Sequence, residues 1–260
     1  MAGRAGGSAV SGRTALVTGA ASGIGAATAH ALAAAGCTGL ALVDRDSAGL
    51  EAVSAGLAGV DVLALPMDVA DDEAWLSAET AIRQRFGTLA HAVANAGIAR
   101  GGPIAELRLD EWRQVMAVNL DGVALTLRAA LRLMADGGSI VTVASVAGLK
   151  AEPNIGAYGA SKAAVIHLTR IAAKEAAERR ITVNAICPGG VATPLWRTQD
   201  WWEKLVASKG DEAAAFHAMS VNTPLGRFAA AEEVAAAILG LLTQPMTTGA
   251  ALVVDGGYSL

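Results

Sequence analysis

Hydrophobic positions come in short runs, at Thr14–Thr18, Leu40–Val43, Val60–Leu65, Leu89–Ala94, Ser139–Val143, Ile181–Ile186 and Ala251–Val254. Each has the length of a strand, and together they suit strands covered on both faces. Between them, apolar residues recur at helical spacing, which predicts helices over Ile24–Ala35, Ala48–Leu57, Asp72–Arg85, Asp110–Met134, Tyr158–Arg179 and Glu232–Leu242. Strand and helix alternate from end to end. The chain therefore predicts right-handed βαβ crossovers and an α/β fold with one doubly wound, seven-stranded parallel sheet.

No linker or repeat divides residues 13–260, which are expected to form a single domain. Residues 1–12 are rich in Gly, Ala and Ser, with Arg4 and no apolar centre. They read as a flexible leader and not as a secretory signal. Residues 193–228 form the one long segment without an obvious strand. There Trp196, Trp201, Trp202, Leu205, Val206, Phe216 and Met219 are interleaved with Arg197, Asp200, Glu203, Lys204 and Lys209, the pattern of short amphipathic helices. Core packing would account for the tryptophans; a substrate lid is the sharper expectation.

Composition narrows the function classes. Of 260 residues, 53% are hydrophobic and 17% charged, which excludes a disordered chain. A net charge of -4 argues against a nucleic-acid partner. The stretch between Arg13 and Asp44 lacks Asp, Glu, Lys and Arg, but Gly19, Gly23, Gly25, Gly36 and Gly39 break it into strand, turn, helix and strand, so no membrane span is expected. Cys37 and Cys187 lie far apart and read as small buried residues of a cytoplasmic protein. The four histidines show no metal-ligand spacing, and no metal is expected.

The first strand runs into Gly19-Ala-Ala-Ser22-Gly23-Ile24-Gly25, with a helix directly after it. Glycines permit the tight turn and let backbone approach a pyrophosphate seated at the helix N-terminus. Asp44 ends the second strand, nineteen residues beyond Gly25, where a carboxylate accepts hydrogen bonds from adenosine ribose hydroxyls. A 2′-phosphate would meet a like charge there, so NAD is expected over NADP, although Arg45 beside it offers such a phosphate a partner. Asp68-Val69 ends the third strand, and Asn95-Ala96-Gly97 the fourth. All these positions share the carboxyl edge of the sheet, where ligands of open α/β folds bind.

Tyr158 and Lys162 are four apart on a predicted helix and project from one face. A phenol titrates near 10, and a neighbouring ammonium lowers that value, which makes the pair a general acid/base for a carbonyl/alcohol couple. Ser145 ends the fifth strand, thirteen residues earlier, and its hydroxyl suits a substrate oxygen. Asn119 interrupts an apolar stretch of helix; read alone, it is equally a solvent-facing residue.

Taken together, Thr18-Gly-x3-Gly-Ile-Gly25, Asn95-Ala-Gly97, Asn119, Ser145, Tyr158-x3-Lys162, Pro188-Gly189 and Val254-Asp-Gly-Gly257 resemble the short-chain dehydrogenase/reductase family, from about Gly12 to Leu260. The resemblance implies a Rossmann-type sheet, a nicotinamide cofactor and a catalytic tetrad of Asn119, Ser145, Tyr158 and Lys162. It also implies that Lys162 binds the nicotinamide ribose and that Pro188, Gly189, Val191 and Thr193 hold the carboxamide. One departure is Ala94, where the family often has a further Asn. The expectation is an NAD-dependent, homotetrameric oxidoreductase that interconverts a secondary alcohol and a ketone, with a mainly apolar, cyclic or aromatic substrate. An NADP-dependent 3-oxoacyl-thioester reductase and a non-catalytic NAD(H) sensor are the competing readings.

Overall fold

The computed structural model of the protein describes residues 10–199 and 201–260. Most of the expected leader, and Asp200, lie outside these residues. Of the leader's last three residues, Val10 is buried and the Gly12 amide donates to Gly36 O at 2.8 Å, so the packed chain begins before Arg13.

The strands are β1 (Thr14–Thr18), β2 (Gly39–Asp44), β3 (Asp61–Pro66), β4 (Leu89–Ala94), β5 (Met134–Val143), β6 (Thr182–Pro188) and β7 (Ala251–Val254). They form one sheet of seven, in the order β3-β2-β1-β4-β5-β6-β7, and every pairing is parallel. This is the Rossmann-type, doubly wound arrangement expected from the alternating pattern. The order reverses between β1 and β4, which opens a crevice at the carboxyl ends of the strands.

The helices are α1 (Gly23–Ala34), α2 (Ser47–Ala55), α3 (Asp72–Phe86), α4 (Leu109–Met116), α5 (Gly122–Leu133), α6 (Gly156–Ala176), α7 (Trp202–Lys209), α8 (Glu212–Ser220) and α9 (Ala231–Leu242). Two cores flank the sheet. On one face Leu32 of α1, Leu50 of α2 and Ile238 of α9 pack with Val17, Leu42 and Ile186. On the other, Trp75 of α3, Leu127 of α5 and Val165 of α6 pack with Leu16, Ala41 and Val183. Adjacent residues of one strand, Leu16 and Val17, thus serve opposite cores, as the pleat requires.

One expected helix is corrected. Across the expected Asp110–Met134 the backbone stays helical to Leu133, but a π turn at Ala117–Asp121 shifts the register between α4 and α5, and Met134 already belongs to β5. The turn inserts one residue's worth of backbone into the helix and re-aims the side chains around it. Asn119 sits at its centre.

Candidate active site

A cavity of about 970 Å³ opens at the carboxyl edge of the sheet, where the switch point requires it. All the site residues expected from the sequence line it except Gly25 and Asn119, which lie behind its wall.

The nucleotide end is built by the turn after β1. Gly19 has φ 65°, a left-handed conformation that favours glycine, and a Cβ on Gly25 would lie 1.9 Å from Gly19 O. Asn95 fastens this turn and does not face the cavity as a free ligand: its Nδ2 donates to Thr18 O at 3.0 Å and Gly19 O at 3.1 Å. Thr18 Oγ1 in turn accepts the amides of Asn95 and Ala96, at 3.0 and 3.2 Å. Asp46, Asp71 and Asp211 cap α2, α3 and α8 with side-chain hydrogen bonds, whereas Ser22 makes none and the first turn of α1 holds no acid. Its N-terminal amides and positive dipole end are left for an anion.

Asp44 is aimed by two backbone amides, Ala21 N onto Oδ2 and Asp46 N onto Oδ1, each at 3.1 Å. One such bond per oxygen leaves acceptor capacity for two further hydroxyls. Arg45 and Asp68 are exposed on the same rim, and Asp68 Oδ1 also takes the Ala70 amide. Across the cavity the segment after β6 closes on the glycine turn: a Cβ on Gly23 would lie 3.3 Å from Thr193. These features fit a nicotinamide dinucleotide: the head of α1 would hold its pyrophosphate, Asp44 and Asp68-Val69 its adenosine, and Pro188, Gly189, Val191 and Thr193 its nicotinamide.

At the chemical end, Lys162 is buried, and its ammonium donates to Val143 O at 2.8 Å and lies 5.7 Å from the centroid of the Tyr158 ring. Burial pulls its pKa down to about 8. Tyr158 keeps part of its surface open to the cavity, yet desolvation pushes its phenol upward, opposed by a hydrogen bond with Ser145. In the protein without its cofactor, burial outweighs that hydrogen bond, and the phenol stands above its ordinary value. Ser145 Oγ also accepts the Ala147 amide at 3.1 Å, which fixes the hydroxyl at the head of the following turn.

Asn119 is fully buried, not solvent-facing. Its Oδ1 accepts Ile98 N at 2.8 Å, and its Nδ2 donates to Ile98 O at 2.9 Å and Ser161 Oγ at 3.1 Å. It ties the loop after β4 to α6. A Cβ on Gly97 would come within 3.4 Å of both Asn119 Oδ1 and Lys162 Nζ, so a small residue here lets the loop lie against both.

Among the late-segment aromatics, Trp196, Trp201 and Phe228 line the cavity; Trp202 does not, being buried inside the segment 4.8 Å from Phe216. Trp196 stacks on Phe228 at 5.6 Å and donates Nε1 to Val191 O at 2.7 Å. Arg197 holds Glu212 with two bonds of 2.8 and 2.9 Å. Sequence reasoning missed Ser161, Phe228 and Tyr258. Tyr258 is one of only two tyrosines, a signal that was available; its hydroxyl donates to Glu152 at 2.8 Å, and its ring lies beneath the Lys150 ammonium at 4.1 Å. Among the described residues no group of three or more His, Cys, Asp or Glu is placed to hold a metal, and no helix is long and apolar enough to cross a membrane.

The family model described as enoyl-(acyl carrier protein) reductase matches residues 19–259. The chain belongs to the short-chain dehydrogenase/reductase family. Members are oxidoreductases that use a nicotinamide cofactor. This member is 42% identical over 255 residues to cis-4-hydroxycyclohexanecarboxylate dehydrogenase of Sinomonas cyclohexanicum, covering 95% of this chain and 96% of that protein. It is 39% identical over 255 residues to D-threitol dehydrogenase of Mycolicibacterium smegmatis, covering 96% and 94%. The crystal structure of levodione reductase superposes with a TM-score of 0.85 at 32% identity, covering 96% and 98% of the two chains.

Proposed function

We propose that this oxidoreductase is an NAD-dependent dehydrogenase that interconverts a secondary alcohol and a ketone on a mainly apolar, cyclic substrate, and that it works as a homotetramer. The observation that carries the reading is the trio on one cavity wall: Tyr158, its ring 5.7 Å from the buried Lys162 ammonium, and Ser145 lining the same cavity. The Ser145 hydroxyl holds the substrate oxygen. The Tyr158 hydroxyl gives that oxygen a proton as the ketone is reduced and takes it back as the alcohol is oxidised. The nicotinamide, when bound, supplies or accepts the hydride.

The Lys162 ammonium favours charge on the phenol oxygen as the proton leaves, which offsets part of the cost that burial imposes. Asn119 holds the Ile98 backbone and so keeps the loop wall in register with α6. NAD is favoured because Asp44 keeps free acceptor sites for ribose hydroxyls and a negative charge against a 2′-phosphate. Residues 193–228 act as the substrate lid, with Trp196 and Trp201 as its inner face. A cyclic substrate suits these indoles, and the names of the cyclohexanecarboxylate and levodione enzymes support it. A reducing compartment such as the cytoplasm suits two buried, unpaired cysteines.

The test is a panel of cyclic secondary alcohols and ketones with NAD(H) and NADP(H), read by nicotinamide absorbance. Turnover should be higher in kcat/KM with NAD, and Tyr158→Phe should reduce it by about 10²-fold or more. Higher kcat/KM with NADP refutes the cofactor assignment, and undiminished activity in Tyr158→Phe refutes the mechanism.

A further inference from the structure

We infer that Arg100 is an anion-recognition residue of the substrate pocket, and that the substrate carries a carboxylate on the apolar body that the lid covers. The inference rests on the cyclic-alcohol reading and refines its substrate class. Arg100 lies in the loop after β4, three residues beyond Gly97, and this loop forms a wall of the cavity through Gly102. The loop is not a loose flap: Gly102 N donates to Asn154 O at 2.7 Å, and Gly102 pairs with Ile155, three residues before Tyr158. Gln199 Nε2 anchors it from the lid side by donating to Ala99 O at 3.1 Å.

The charges on this side of the cavity do not cancel. Lys150 pairs with Glu152 at 3.3 Å and donates to Tyr258 O at 3.2 Å, and Glu152 accepts the Tyr258 hydroxyl at 2.8 Å. These partners hold the Glu152 carboxyl below its usual range, so the cluster is a neutral, satisfied unit. Arg100 is partly buried, and its one hydrogen bond runs to the neighbouring carbonyl Ala99 O, at 3.1 Å from Nη1. Among the described residues it pairs with no carboxylate. Most of the guanidinium's five donors remain unused, and Arg100 stands on the cavity wall among Ile155, Asn154, Gln199 and Trp201, where that wall meets a smaller cleft lined by Glu106 and Glu111. A planar, permanently charged fork in a partly apolar surround is the group best matched to a carboxylate.

The test pairs a charged with a neutral ring. Steady-state kinetics with NADH would compare 4-oxocyclohexanecarboxylate with its methyl ester, and titration calorimetry would compare cyclohexanecarboxylate with cyclohexanecarboxamide on the NADH-loaded enzyme. The wild type should favour the acid in both assays. Arg100→Gln should raise KM and Kd for the acid by roughly ten- to a hundredfold, leave ester and amide nearly unchanged, and leave NADH affinity intact. Arg100→Lys should recover part of the loss. Equal losses for acid and ester would mean that Arg100 only shapes the loop, and overturn the inference. Unchanged acid binding in Arg100→Gln, with loss in Lys150→Gln, would overturn it too, by moving the anion site to Lys150. Ring ketones that are not reduced, with acid binding that still depends on Arg100, would uphold the anion site and refute the alcohol-dehydrogenase reading. Ester reduction without a preference for the acid would do the reverse.

Discussion

The Lys162 ammonium is buried with one backbone carbonyl and one aromatic face for company, and the fold bears a cost for holding it there. Its pKa, held near 8 against an ordinary 10.5, fixes the pH range in which that cost is felt. Below the lower value both folded and unfolded chains are protonated and the penalty is complete. Between the two values the folded chain loses its proton first, so stability rises with pH. Lys162→Met removes the titration. Urea unfolding should therefore show the stability of the variant, relative to wild type, falling by about 2 kcal/mol between about pH 7 and about pH 9.5. A difference that stays constant over that range would mean that the ammonium is better solvated than its surroundings indicate. Residue by residue, the proposed acid/base pair was legible only in company: Tyr158 and Lys162 four apart is an ordinary helical spacing, and Ser145, the glycine turn and Asn95-Ala-Gly97 gave it meaning. Asn119 alone was not decisive, since nothing in an apolar helix tells which way a polar side chain points.

The π turn at Ala117–Asp121 explains that ambiguity. On an unbroken helix, α4 and α5 would share one apolar stripe, and 117–121 reads as part of it. At the centre of that turn Asn119 makes three hydrogen bonds to Ile98 and Ser161, partners that only the tertiary fold supplies. The strands, by contrast, depend on local runs of apolar residues, and β1, β4 and β7 begin and end where those runs do. The late segment was legible as helical and apolar, but not in which indole faces the cavity. That distinction is testable. Trp196→Ala and Trp201→Ala should raise KM for the ring substrate by roughly tenfold, the transfer cost of part of an aromatic face, with NAD affinity nearly unchanged. Trp202→Ala should lower the melting temperature instead, because it empties the space between α7 and Phe216. Unaltered substrate kinetics in the first two variants would remove the lid from the account of specificity.

Across the whole molecule, the sheet ends in an edge that is still apolar. Leu252 and Val253 of β7 are 40% and 38% exposed, on a strand with one free side. Such an edge invites a second copy. Light scattering at micromolar concentration should give the mass of four chains, and a monomer would count against the tetramer. The other whole-molecule relation is the meeting of Thr193 with Gly23, which brings the start of the late segment onto the turn after β1. A dinucleotide laid across this contact would act as a buckle, fastening a strap woven late in the chain to a loop woven first. Seen this way, cofactor occupancy is also a question of which peptide bonds a protease can reach. Saturating NAD should slow tryptic cleavage after Arg197, Lys204 and Lys209, by a factor that tracks NAD occupancy. Cleavage after Arg132, on the far side of the sheet, should keep its own pace. Equal protection at both places would mean that the strap was never loose.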